Sequence, residues 1–176
     1  LPVLAASPQE SQIQVPFEVQ GPRLNVSLEA LSGRHELAIA LRKVSPAIFV
    51  ERDGTPMILD ADTGVFLDAM NLARPGSRIQ LLATGLGEVD PRWPSGLAAP
   101  LDSPPRVRAM VRAFLDNQPL EVTRATLAPG YVGFYLVELR LPAVVNAGAS
   151  LLHLEAEGQP SNRVRLYLAP YQSAAR

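Results

Sequence analysis

Several stretches of this chain alternate apolar and polar residues with a period of two. Leu24, Val26, Leu28 and Ala30 alternate with Asn25, Ser27 and Glu29, and Leu37, Ile39 and Leu41 follow the same rule. So do Ile79, Leu81 and Ala83, and near the end Val164, Leu166 and Leu168. Successive side chains of a strand point to opposite faces, so each run has one face for a core and one for water. Runs of this kind bounded by Gly, Pro, Asn and Asp point to an all-β sandwich or barrel.

Composition supports a packed core. Of 176 residues 47% are hydrophobic, so the 17 prolines belong to loops between short strands rather than to random coil. The formal net charge of −1 marks no general polyanion binder, so no nucleic-acid partner is expected. There is no cysteine, which excludes disulfides, thiolate metal sites and a cysteine nucleophile. No apolar run approaches the roughly 18 residues of a membrane span. Leu1–Ser7 is apolar without a basic segment before it, and reads as the interior of a longer chain rather than as a signal peptide.

Residues 107–115 fit two periods. Val107, Met110, Val111, Phe114 and Leu115 sit at helical spacing, while Val107, Ala109, Val111, Ala113 and Leu115 fit a strand. The strand is favoured, because Asp116-Asn117-Gln118-Pro119 then makes a hairpin turn into a second strand over Leu120–Thr126. Gly85–Pro105, rich in proline and glycine, reads as one long loop, and long loops are usually functional or mobile.

The chain also resembles itself. Ile13-Gln14-Val15-Pro16 aligns with Leu139-Arg140-Leu141-Pro142, and at the same offset Leu28-Glu29-Ala30 aligns with Leu154-Glu155-Ala156. With small slippage Gly33 meets Gly158, Pro46 meets Pro170, and Ala6-Ser7-Pro8 meets Leu127-Ala128-Pro129. Each copy is a strand, a proline break, a strand, a glycine turn and a strand. The expected organisation is a partial β unit over 1–45, a complete unit over 46–170, and a tail over 171–176.

Several motifs resemble a large bacterial family of C-terminal domains first noted in Solibacter proteins. They are Ile13-Gln14-Val15-Pro16-Phe17-Glu18-Val19, Val44-Ser45-Pro46-Ala47-Ile48-Phe49, Ala73-Arg74-Pro75-Gly76, Ala83-Thr84-Gly85-Leu86-Gly87, Leu127–Tyr135 and Pro160-Ser161-Asn162-Arg163-Val164. They arrive in order over nearly the whole chain. Leu136-Val137-Glu138 and Asp116-Asn117-Gln118 depart from the family pattern. The resemblance implies an immunoglobulin-like β-sandwich in a larger exported protein, secreted or at the cell surface, and it implies no activity.

The chemistry-bearing residues are sparse. Ala83-Thr84-Gly85-Leu86-Gly87 lacks the following helix that a phosphate-cradling loop needs, and reads as a strand-ending turn. Asp60, Asp62 and Asp68 resemble the start of a calcium loop but lack its closing bidentate Glu, so an Asp-rich turn competes with calcium, the one cofactor in view. His35 and His153 have no second ligand or nucleophile beside them in sequence and read as surface or turn residues. Arg106, Arg108 and Arg112 would share one face of a strand, as an anion site or as a charged guard of a sheet edge. Trp93, with Arg92 beside it, is either a platform for a sugar ring or an anchor for its loop. Tyr131, Phe134 and Tyr135 are expected on an apolar strand in the core.

The expected function is a non-catalytic extracellular accessory module, serving as a spacer, an assembly surface or an adhesion unit. Its partner would be a protein or a glycan, and an exposed edge strand would favour a homodimer. A carbohydrate-binding module built on the Trp93 loop is the alternative. A glycoside hydrolase would need a carboxylate pair from Asp53, Asp60, Asp62 or Glu88 at a separation sequence does not specify.

Overall fold

The computed structural model describes residues 1–30 and 33–170. The expected tail over 171–176 lies outside the described residues, as do Leu31 and Ser32. Among the described residues there is no helix, and none long and apolar enough to cross a membrane. The chain is all-β, as the alternation predicts.

Two small hairpins come first. Strand β1 (Val3–Ala6) pairs with β2 (Ser11–Ile13), and β3 (Arg23–Ala30) pairs with β4 (Gly33–Ala40). The other eleven strands form one sheet. In chain order they are β5 (Ala47–Ile48), β6 (Ile58–Asp60), β7 (Arg78–Thr84), β8 (Val89–Asp90), β9 (Arg106–Val107) and β10 (Val111–Leu115), followed by β11 (Gln118–Leu127), β12 (Tyr135–Arg140), β13 (Gly148–Ala156), β14 (Gln159–Pro160) and β15 (Val164–Leu168). The pairing path runs β14-β13-β10-β11-β12-β7-β5, with β15 also on β13, β6 also on β7, and β8 paired to β9, which pairs β11.

The sheet curls, and β11 is where it turns. Its start, Gln118–Leu120, pairs with β10, while Glu121–Leu127 pairs with β12. The register slips by one residue between Val122 and Arg124. Such a bulge bends a strand and increases its twist. The two halves therefore face one another over a single core. One half contributes Leu152, Leu154, Ala156, Val164, Leu166 and Leu168, and the other Ile79, Leu81, Val137 and Leu139. Every residue of that buried cluster lies between Val44 and Leu168. The last strand does not leave its outer edge bare: Ala73 N–H donates to Tyr167 O and Ala169 N–H to Ala73 O, both at 2.8 Å. An unpaired edge would invite another chain, so this parallel rung is protective.

Residues 107–115 are extended rather than helical, as favoured, but the strand is broken. β9 ends at Val107 and β10 starts at Val111. The β10–β11 turn is Asp116-Asn117 with φ of 48° and 67°, the two left-handed residues that a tight hairpin matching strand twist requires.

Two expectations change. Tyr131 and Phe134 do not lie on a core strand: they belong to the loop between β11 and β12, and Tyr131 is 55% exposed. Only Tyr135 reaches the core. Glycines at 130 and 133, with φ of 78° and 73°, turn the chain there and break the ladder. Nor do the three arginines form a row. Arg106 on β9 lies in the β8–β9–β11 arm, Arg112 on β10 pairs across to β13, and Arg108 sits in the break between them.

Candidate functional site

The first hairpin docks on two loops of the main sheet through polar contacts. Gln14 is buried, its Oε1 accepting from Gly96 N–H at 2.7 Å, and its side chain fills the space a Cβ would need at Gly133. Ser95 Oγ accepts from Phe17 N–H at 2.9 Å and donates to Glu18 Oε2 at 2.7 Å. The hydrogen bonds from Ser95 hold the Glu18 carboxyl below the usual carboxylate range.

Between this hairpin and the β11–β12 loop lies an open hollow of about 520 Å³, lined by Pro2, Val3, Leu4, Gly96, Gly130, Tyr131, Val132 and Phe134. The Phe134 ring stacks on Phe49 with centroids 4.5 Å apart, and Tyr131 tilts against Phe134 at 5.8 Å. The three rings form a continuous aromatic ridge, with Tyr131 at its exposed end. The Trp93 loop meets the same region, since Ala99 N–H donates to Tyr131 O and Gly130 N–H to Ala99 O.

Trp93 itself is half-buried. Its ring packs against the core cluster and its Nε1 donates to Leu97 O at 3.2 Å. It therefore anchors its loop, and Tyr131 is the more exposed aromatic of the region. Arg92 beside it is exposed. Arg108 pairs with Glu88 at 3.1 Å, and Arg112 reaches Glu155 at 3.9 Å and Met110 Sδ at 3.6 Å. The structure does not bring Arg106, Arg108 and Arg112 together on one face.

The acidic loop is organised by its own backbone. Asp60 Oδ1 accepts from the N–H groups of Asp62 and Thr63 at 3.0 and 2.9 Å, and from Thr63 Oγ1 at 3.0 Å. Asp62 pairs with Arg78. Asp68 Oδ1 accepts from Met70 N–H and Asn71 N–H, each at 2.7 Å. Hydrogen bonds from Asn71 and Met70 hold the Asp68 carboxyl low; for Asp60, burial pushes upward and the bonds from Thr63 and Asp62 outweigh it. Asp60 and Asp68 thus each stabilise a turn, while Asp62 is held in an ion pair. Among the described residues no three acidic, histidine or cysteine side chains gather as a candidate metal group. Asp53 likewise caps its own turn, accepting from Thr55 N–H at 2.8 Å.

His35 lies on β4, exposed and opposite Leu28. His153 stacks on Phe114 at 5.1 Å across the β10–β13 ladder. Burial, with the nearby Arg163 charge, keeps its pKa below the usual histidine value. Tyr135 donates its hydroxyl proton to Gly87 O, and burial raises that phenol's pKa further above its ordinary value.

One charged centre was not anticipated. Glu138 on β12 is buried on the outer face of the sheet. Gln80 Nε2 donates to it at 3.0 Å and Thr123 Oγ1 at 3.0 Å, with Arg124 at 3.3 Å and Arg78 at 3.4 Å. Burial pushes the carboxyl upward, but these donors and cations outweigh it and hold the group below the usual range. The only signal in the sequence is a Glu between the apolar residues Val137 and Leu139.

Against these features the chain was compared with family models, with curated proteins and with solved structures, and none matches. Gly85 and Gly87 pack closely on residues 43–46, and Ser161 and Asn162 bond to Leu154 and Ile48.

Proposed function

We propose that this chain is a non-catalytic extracellular accessory module, an immunoglobulin-like unit of a larger exported bacterial protein that works as an assembly surface. One observation carries the reading. The hairpin β3–β4 holds Leu24, Val26, Leu28, Leu37 and Ile39 on one face, and Leu28, Leu37 and Ile39 are 46%, 57% and 36% exposed. A row of aliphatics left in water by its own chain marks a contact surface. The curled two-layer core and the ordered family-like motifs supply the architectural part of the reading, and the family resemblance supplies the exported setting.

A second reading is favoured by the exposed Tyr131 ridge. Together with the Gly96 and Gly130 backbone and the hollow beside it, this surface has the apolar face and nearby polar groups that sugar rings use. The platform would be Tyr131, with Trp93 holding the neighbouring loop.

A thermal-unfolding screen against soluble glycans, calcium and EDTA tests both. A ligand of the folded state adds about 2.7 kcal/mol at 100 times its dissociation constant, which moves the midpoint visibly. The assembly reading expects a flat profile. A glycan-dependent rise that Tyr131→Ala abolishes replaces it with the second reading. A calcium-dependent rise reversed by EDTA restores the Asp60–Asp68 loop as a metal site.

A further inference from the structure

The strands ahead of residue 41 share several pairings with strands β11 to β15 of the main sheet. In β1–β2, Val3 faces Ile13 and the register then slips by one residue, so that Ala5 faces Gln12. In β11–β12, Val122 faces Leu139 and the register slips in the same place, so that Arg124 faces Glu138. A bulge is a local irregularity, and its recurrence at aligned positions, Ile13 with Leu139, is not explained by alternation alone. In the second hairpin Val26 faces Leu37 where Leu152 faces Val164, and Leu24 faces Ile39 where Ser150 faces Leu166, although β3–β4 pairs without a break while the partners of β13 shift by one residue between β14 and β15. In the main sheet those four positions are buried; in β3–β4 they are not.

The difference has a physical cause in the pairing order. In the main sheet, β10 joins the two hairpins: Ala113 faces Leu120 of β11 on one side and Leu154 of β13 on the other. β7 covers the free edge of β12, and its Ile79 and Leu81 enter the same core as Leu152 and Leu154. Among the described residues ahead of 41 no strand occupies either place, and β1–β2 and β3–β4 remain separate two-stranded sheets. Isolated hairpins are marginal in water.

We propose that β1–β4 are half of a second unit, and that the apolar face of β3–β4 receives a strand-donating β-layer of the same chemistry as residues 46–119. One donated strand, of the β10 kind, would lie between β1 and β3. Another, of the β7 kind, would pair with β2 and set alternating branched aliphatics over Val26 and Leu37. This rests on the assembly reading and names the partner class for it. In the main sheet Leu152, Leu154 and Leu166 share one core cluster with Ile79, Leu81, Val137 and Leu139, the kind of cover that β3–β4 lacks. A second copy of the hairpin is a poorer cover. Eight-residue strands about 4.8 Å apart present a face of about 260 Å². Two such faces stacked bury about half of the roughly 1,000 Å² that a specific interface needs.

The test is a tandem chain in which residues 46–119 are placed directly ahead of Leu1, with the whole chain unchanged behind them. Leu1 then takes the place that Leu120 holds after Pro119. Amide hydrogen exchange at residues 24–28 and 35–39 is compared in the original and extended chains. The expected result is slowing of at least about 100-fold in the extended chain, lost when Ile79 and Leu81 of the added segment alone become Lys. In the original chain, Leu37→Lys leaves the unfolding midpoint of the main sheet unchanged, because nothing covers that face. Unchanged hairpin exchange in the tandem chain overturns the proposal, as does slowing that survives the two Lys changes. A concentration-dependent dimer of the original chain that protects the same amides assigns the face to a second copy and also overturns it. A glycan response in the thermal screen defeats the assembly reading without altering hairpin exchange, so the two failures are separable.

Discussion

The side-chain amide of Asn162 bonds both backbone groups of Ile48: its Oδ1 accepts from Ile48 N–H at 2.7 Å and its Nδ2 donates to Ile48 O at 3.0 Å. β5, which holds Ile48, stands at one end of the pairing path, and Asn162 sits in the turn just ahead of β15 near the other. The amide thus serves as a ladder rung where two ends of the curled sheet meet without direct backbone pairing. Ile48 is 2% exposed, so its freed N–H and C=O would have little access to water. Asn162→Ala is expected to cost about 1–3 kcal/mol, the desolvation penalty of unsatisfied buried groups. Asn162→Asp keeps the acceptor and loses the donor, and should fall between. Urea titration checks this: the midpoint drops while the slope is unchanged, and an unmoved midpoint shows the rung to be dispensable.

Gly85 is expected to tolerate no side chain. A Cβ there would lie 1.8 Å from Ser45 O and 2.5 Å from its carbonyl carbon, at a φ of 71°. Ser45 N–H also donates to Gly85 O at 2.7 Å, so the two backbones cannot separate without losing that bond. Gly54, with φ of 87°, has nothing within 4 Å of its would-be Cβ. Gly54→Ala should cost about 1 kcal/mol of backbone strain, whereas Gly85→Ala should exceed about 4 kcal/mol or prevent folding. Thermal melts of the two variants side by side separate contact from conformation.

Loop anchoring and ligand contact are separable at Trp93 and Tyr131. Trp93→Phe keeps much of the ring against the core but removes the donor to Leu97 O, and should cost about 1 kcal/mol. Tyr131→Ala removes a ring that is mostly in water and should change the midpoint by less than about 0.5 kcal/mol. Matching losses at both positions would mean that Tyr131 also braces the loop.

How much of this was legible in the sequence follows from what period two encodes. It marks which residues share a face, so the strands at 24–30, 37–41, 79–83 and 164–168 could be read from it. It carries no information on which strands pair, so the turn of β11 from one half of the sheet to the other was not legible. Aromatic content misled at Leu127–Tyr135, where the glycines at 130 and 133 outrank the apolar residues between them. The arginine row assumed one unbroken strand over 106–112, and the break at Arg108–Met110 dispersed it. Of the candidate site, the Asp60 and Asp68 turns were legible because such bonds are local. Glu138 was not, since its partners come from β7 and β11, 58 and 15 residues away in sequence for Gln80 and Thr123.

Glu138 also sets a pH dependence whose sign can be worked out. Its folded pKa lies below the unfolded value of about 4.3, because the donors around it favour the charged form. The unfolded state therefore binds the proton more readily. The stabilisation is fully present above the unfolded pKa and is lost as pH falls through the folded one. Asp60 and Asp68 are shifted in the same direction, so the whole chain should weaken below about pH 5. Glu138→Gln isolates one contribution. At pH 7 it should cost about 1–3 kcal/mol, since Arg78 and Arg124 lose their shared partner on a face where Glu138 is largely desolvated. As pH falls through its folded pKa, Glu138 takes up a proton and becomes a near equivalent of Gln, so the gap between variant and parent should narrow towards acid pH. Urea midpoints of both chains from pH 7 to pH 3 measure it. A gap that stays constant across that range would mean that Glu138 acts by packing rather than by charge.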